Sequence, residues 1–344
     1  MFRFATGLLL APALFAAARE TVVFDTDSGV FGDDGAALVM LLRSPALVNV
    51  AAVTLVPGNV WPEPGAAYMA RLLDLLKRPQ IPLYTGASTP LMHTAAMARE
   101  AGRRWGKLEY TGAFAQDAAA LPPALPAARR LHREEAVEFL ISEIERRPGE
   151  VTILAIGPMT NVALALRLKP EIETRIKSIV WMGGNIAVPG NASPAAEFNF
   201  WFDPEAARMV LRSRIPRKVM FPLDVCNTAR IRRAEFDQIA AAGTPITELY
   251  REDAGNRYPG FLKHPEAVGY LWDELAAAYL LDPGFVTRSE PRYLDVQTAW
   301  GRFYGATIPL DRRVAPEATP VEVALALDFK RVFALYKELL TRAE

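Results

Sequence analysis

Four carboxylates crowd the stretch VVFDTDSGVFGDDGAALVMLL, residues 22–42: Asp25, Asp27, Asp33 and Asp34 follow directly on an apolar run. Like charges this close repel, so such a cluster persists only where a cation neutralises it, a proton is shared, or the side chains diverge into water. Gly29 and Gly32 can take positive φ and fold Asp27 and Asp34 back onto one point. Carboxylate oxygens completed by carbonyls and waters suit Ca²⁺ or Mg²⁺. Zinc is disfavoured, because none of His93, His132 and His264 pairs with a cysteine at ligand spacing. The competing reading is an acidic turn capping a helix that begins near Gly35. A cap accounts for one or two of these aspartates and leaves the rest unexplained.

A second constellation lies in VPGNASPAAEFNFWFDPEAARMVL, residues 188–211, where Asn191, Glu197 and Asn199 are polar in apolar and aromatic surroundings. Amides and a carboxylate so placed can bind vicinal hydroxyls, each of which both donates and accepts. The structural alternative gives Asn191 a turn after Gly190 and makes Asp203 the cap of a helix opening at Pro204. Asp203 is assigned to the cap, and Glu197 and Asn199 to hydroxyl binding, since buried polar side chains require partners.

Positioning these groups falls to alternating elements. TVVFDTD, VNVAAVTLV, VTILAIG, IKSIVWMGG and RKVMFPLDV read as strands, and GAALVMLLRS, PGAAYMARLLDLLKR, REEAVEFLISEIERR and TNVALALRLKP as helices. The alternation predicts an α/β fold, an open and mostly parallel sheet flanked by helices. Ligands of such sheets sit beyond the carboxyl ends of the strands. Asp25, Asp27, Asn59, the GPMTN turn, Asn185 and Asp224 all follow strands and are expected to converge there.

The chain has 344 residues, 51% of them hydrophobic, and its 39 Lys and Arg balance 39 Asp and Glu. No charge excess points to nucleic acid or to an anionic membrane. Without linker, low-complexity tract or repeat, residues 19–344 read as one domain. Residues 1–18 read as a secretory signal peptide: Arg3, an apolar stretch, and Ala16-Ala17-Ala18 before Arg19, with export to the periplasm or medium expected. Cys226 is the lone cysteine, which excludes an intrachain disulfide.

DTDSGVFGDDGAAL, AIGPMTNVALAL, WMGG, GNASPAAEFNFWFDPEAA, PLDV and WDELAAAYLLDP occur in the order and approximate spacing of the inosine-uridine nucleoside hydrolases, and the chain resembles that family from about Val22 to its final helix. The resemblance implies Ca²⁺-dependent hydrolysis of ribonucleosides to free base and ribose, with self-association as a homodimer or homotetramer. Asp27 matches the family's metal ligand and general base. Asp34 and Asp273 match further ligands, and Ile156 a backbone carbonyl ligand. Asp33, Asn59, Asn191, Glu197 and Asn199 match ribose contacts, Met182 packs near the sugar, and Asp25 supports the ligands from behind. Many members carry His before the distal aspartate as acid for the leaving base, whereas this chain has Trp272. Purine-preferring members share that Trp, so Trp272 is expected to stack on a purine, with Trp105 as a second face and Trp61 as a weaker candidate for it. Val30, Phe31 and Gly32 stand where the family has one residue, adding two to the metal loop.

Two rivals remain at the level of sequence. FDTDSGV also resembles the start of haloacid-dehalogenase-type phosphatases, although those place their further acidic pair far downstream. An exported, non-catalytic Ca²⁺-dependent nucleoside- or sugar-binding protein would keep the same pocket.

Overall fold

The computed structural model describes residues 19–343 except 30, 116–134, 258 and 314. The expected leader, Val30 and His132 therefore lie outside the described residues. Glu20–Thr26 forms β1 and is almost wholly buried, as its β-branched and aromatic run requires of a strand covered on both faces. Val22 and Phe24 point into one core layer and Val23 into the other, the alternation that a pleated strand imposes.

Beside β1 lie β2 (Val48–Leu55), β3 (Leu83–Thr85), β4 (Val151–Ala155), β5 (Ser178–Met182) and β6 (Lys218–Phe221). A two-stranded antiparallel pair follows, β7 (Arg230–Ile231) with β8 (Gly269–Tyr270). The main sheet is completed by β9 (Val286–Val296), β10 (Thr307–Pro309) and β11 (Pro320–Leu327), in the order β10-β9-β11-β6-β5-β4-β1-β2-β3. Every pairing from β3 to β11 is parallel, and β9 runs antiparallel to both its neighbours. The open, mostly parallel sheet flanked by helices is thus as the alternation of elements predicts.

One face is covered by helices Gly32–Leu42, Pro62–Leu75, Asp273–Leu281 and Phe329–Thr341, the other by Ala136–Arg146, Thr160–Leu168 and Pro204–Arg212. The chain extends the sheet from β1 through β2 to β3, then crosses back to lay β4 on the other side of β1. That reversal brings the carboxyl ends of β1 and β4 together and opens a crevice between their loops. The Ile156 N–H donates to the Asp25 carbonyl across it at 2.9 Å.

Two local expectations need correction. RKVMFPLDV does not continue as a strand: β6 stops at Phe221, and Leu223–Cys226 is a helical turn led by Pro222. Gly32 does take a positive φ, 48°, but Gly29 is absent from the positive-φ residues. Gly29 serves a close approach instead, since a Cβ there would stand 2.4 Å from Val60 Cγ1.

Candidate active site

Asp27 sits just past the end of β1 with 1% of its surface exposed. Asn59, in the loop after β2, donates its backbone N–H to Asp27 Oδ2 at 2.7 Å and its Nδ2 to Oδ1 at 3.2 Å. The same Nδ2 reaches Asp34 Oδ2 at 3.4 Å, while the Thr26 hydroxyl donates to Asp34 Oδ1. Gly58 lets the loop come this close, because a Cβ there would fall 2.0 Å from Asp27 Oδ2. Asp33, Asp34 and Asp273 each bring a carboxylate oxygen within 4.8 Å of the others. Asp27 lies outside that trio and is tied to it through Asn59.

The capping reading accounts for two of the aspartates, since Asp33 and Asp34 stand in the first turn of helix Gly32–Leu42, and leaves Asp25 and Asp27 outside it. Helix Gly32–Leu42 starts without a side-chain cap from its N-cap residue, and Asp253 takes the Gly32 N–H at 3.3 Å. Burial pushes the Asp27 carboxyl well above the usual carboxylate range, and the Asp34 charge pushes it further. Asp273 is raised well above that range by burial, then by Asp33 and Asp34. Buried, mutually repelling oxygens from two helix starts and a strand end form the hard donor set that a divalent cation neutralises, so the residues present fit one.

Asp25 stands behind this cluster, fully buried. Its Oδ1 accepts from the Thr54 hydroxyl at 2.5 Å and from Asn161 Nδ2 at 2.8 Å, while Oδ2 has no hydrogen-bond partner among the described residues. Burial raises this carboxyl to about 7. Asn161, in the GPMTN turn, also accepts from the Ala87 N–H at 2.9 Å, so the turn reaches the site through Asp25.

On the other wall, Asn199 Nδ2 donates to the carbonyls of Ile156 at 3.2 Å and Met182 at 3.1 Å, uniting three of the expected residues. Glu197 is almost fully buried and caps the short helix Phe198–Phe202, accepting from the N–H groups of Asn199, Phe200 and Gly184. Burial still raises its carboxyl to about 7 against those donors. Two carboxylate oxygens offer about four acceptor positions, and the backbone N–H groups of Asn199, Phe200 and Gly184 take three of them. Asn191 Oδ1 accepts from the Phe198 N–H at 2.8 Å, a turn-holding bond. Asn185 and Asp224 hold the same loop: Asp224 takes the N–H groups of Ile186 and Ala187, and Asn185 Oδ1 that of Glu197. Asp203 caps helix Pro204–Arg212 through the Ala206 N–H, as expected.

Trp272 lines a cavity of about 560 Å³ together with Asp33, Glu274, Tyr250, Phe261 and Tyr270. Its ring lies nearly parallel to that of Tyr270, with centroids 5.8 Å apart. Trp105 is placed elsewhere. The chain turns at Gly106, φ 105°, and Trp105 packs on Trp300 at 4.8 Å in a separate cavity of about 260 Å³, which does not favour it as a second stacking face. Trp61 packs edge-on against Phe114.

Tyr110 and Glu274 were not expected from the sequence, and Asn161 only as part of the GPMTN turn. Tyr110 donates its hydroxyl to Asn59 Oδ1 at 2.8 Å, and no local pattern marks it. Glu274 lies beside Asp273 in WDEL, and its carboxyl is raised well above the usual range by burial and then by Asp33. An acidic pair at a helix start was the available signal for it.

Comparison with known proteins agrees with this geometry. Residues 22–334 match the family described as inosine-uridine preferring nucleoside hydrolase. The chain is 38% identical over 290 residues to a pyrimidine-specific ribonucleoside hydrolase of Salmonella enteritidis, covering 83% of this chain and 87% of that one. Among solved structures, a plant nucleoside hydrolase superposes with a TM-score of 0.77 at 27% identity, covering 94% of this chain and 99% of the other. The purine-preferring ribonucleoside hydrolase from Gardnerella vaginalis superposes with a TM-score of 0.75 at 26% identity, covering 94% and 98%.

Proposed function

Since the chain belongs to the inosine-uridine preferring nucleoside hydrolase family and hydrolyses the N-glycosidic bond of ribonucleosides, we propose that it does so with Ca²⁺ and with a preference for purine nucleosides. The observation that carries the metal is the meeting of Asp33, Asp34 and Asp273 within 4.8 Å beside the buried Asp27. Asp27, Asp34, Asp273 and the Ile156 carbonyl would hold the cation. Bound there, it supplies Lewis acidity toward water and a positive anchor for sugar hydroxyls.

The remaining chemistry belongs to the chain. Asp27 receives the proton of the attacking water, and Asn59 holds that carboxylate in place through both its oxygens. Asp33, Asn59, Asn191, Glu197 and Asn199 bind the ribose hydroxyls, with Met182 packed beneath the sugar. As the glycosidic bond breaks, positive charge develops on the ribosyl group, and the surrounding carboxylates stabilise it. Trp272 offers the leaving base an aromatic face in a cavity that Tyr250, Phe261 and Tyr270 also line.

The aromatic lining of that cavity supports stacking of a base, and the purine preference rests on the larger face a purine would offer Trp272. The pyrimidine alternative is favoured by the name of the Salmonella relative. Ribose release from inosine, adenosine, uridine and cytidine by the purified protein distinguishes them: purine turnover is expected to be faster, and faster uridine cleavage overturns the preference. Export rests on the segment 1–18, and secretion of a fusion carrying that segment tests it.

A further inference from the structure

The segment from Gly106 to Ala115 is fastened across both halves of the site. The Glu109 N–H donates to the Ala192 carbonyl at 3.1 Å, in the loop that carries Asn191 and Glu197. The Ala113 N–H donates to the Gly58 carbonyl at 2.8 Å, next to Asn59. Gly112 makes this approach possible: its φ is 52°, and a Cβ there would stand 2.3 Å from the Gly58 oxygen and 2.6 Å from Phe198 Cζ. Between these fastenings, the Tyr110 ring rests on Phe198 with centroids 4.7 Å apart, and its hydroxyl donates to Asn59 Oδ1 at 2.8 Å.

An asparagine amide has two orientations of nearly equal shape, one presenting NH₂ and the other oxygen. At Asn59 the choice matters, because Nδ2 is the group that meets Asp27 at 3.2 Å and Asp34 at 3.4 Å. When a cation neutralises those carboxylates, the pull that holds NH₂ toward them weakens, and the oxygen becomes attracted to the same point. A donor on the opposite side then decides the orientation.

We propose that Tyr110 is a positioning residue for the reaction: its hydroxyl pins Asn59 Oδ1 and keeps Nδ2 turned to Asp27 and Asp34. It acts through Asn59, and its ring on Phe198 sets the distance between the Asn59 wall and the Glu197–Asn199 wall. The inference rests on the assignment of Asn59 and Asp27 to the reaction given above.

Tyr110→Phe removes only the hydroxyl and keeps the ring on Phe198. Its kcat/KM toward the best ribonucleoside is expected to fall about 3- to 10-fold, the range for one neutral hydrogen bond. In an Asn59→Ala background the same change should move kcat/KM less than about 2-fold, as coupled residues in one network behave. The two effects multiplying independently, or Tyr110→Phe leaving kcat/KM unchanged, overturns the proposal. A second readout needs no turnover. The Asn59 side-chain NH₂ resonances, assigned by their loss in Asn59→Ala, should shift in Tyr110→Phe while the thermal midpoint stays within a few degrees. Unmoved resonances overturn the proposal even if the kinetics change. Absence of ribonucleoside turnover in the unaltered protein overturns the functional reading, and the resonances then still decide the role of Tyr110.

Discussion

Asn161 Nδ2 donates to Asp25 Oδ1 over 2.8 Å, joining the helix after β4 to β1 where the strand order reverses. The amide also donates to the Leu55 carbonyl and accepts from the Ala87 N–H, so one side chain ties three strand ends together. Replacing it with alanine leaves those buried partners with fewer bonds, at about 1–3 kcal/mol. Asn161→Ala should therefore lower the urea midpoint and reduce turnover, because β1 leads directly into Asp27. An unchanged midpoint contradicts this role.

Trp272 tests how the base is held. Removing a stacking face costs about 1–3 kcal/mol where bases stack on aromatic rings. Trp272→Ala should lower kcat/KM for inosine accordingly and harm uridine less, since a pyrimidine offers a smaller face. If Trp272 only fills the cavity wall, the variant melts earlier while keeping the original base preference.

His93 gives stability a pH dependence away from the carboxylates. It is 3% exposed, ringed edge-on by Phe114, Trp201 and Tyr304, and its Nδ1–H donates to the Trp201 carbonyl at 3.0 Å. Burial lowers its pKa from 6.5 to about 4. The folded chain thus binds fewer protons than the unfolded chain between these values, so the neutral ring's stabilisation is full above about 6.5 and lost as pH falls through 4. Denaturation at a series of pH values should show the unaltered protein losing about 3 kcal/mol relative to His93→Phe across that window. Parallel curves for the two proteins contradict the assignment.

The parallel half of the fold was legible because its strands are continuous apolar runs, as in Val22–Phe24 and Ile153–Ala155, and such runs occur where both faces are covered. Strand β9 was not legible: its TRSEPR stretch is polar, mostly exposed and broken by proline, and pairing with β11 makes that stretch a strand. In the site, the aspartates and the AEFN segment stood out by residue type. Their division of labour did not. Glu197 spends three acceptor positions on backbone N–H groups of a short helix, which its sequence neighbours do not reveal. Tyr110 and Asn161 reach the site across 51 and 136 residues of chain, so only the folded structure shows what they touch.

The central claim is that buried carboxylates on β1 and on the starts of two helices work around a Ca²⁺ to cleave ribonucleosides. Ribose release from inosine by chelator-treated protein, measured before and after Ca²⁺ is restored, tests it most directly, with Asp34→Ala alongside. Loss of one carboxylate ligand from so small a set should remove most of the metal affinity. The account predicts negligible release under chelation, recovery with Ca²⁺ in the unaltered protein, and no recovery in Asp34→Ala at the same concentration. Full release under chelation, or full activity and ion content in Asp34→Ala, contradicts it.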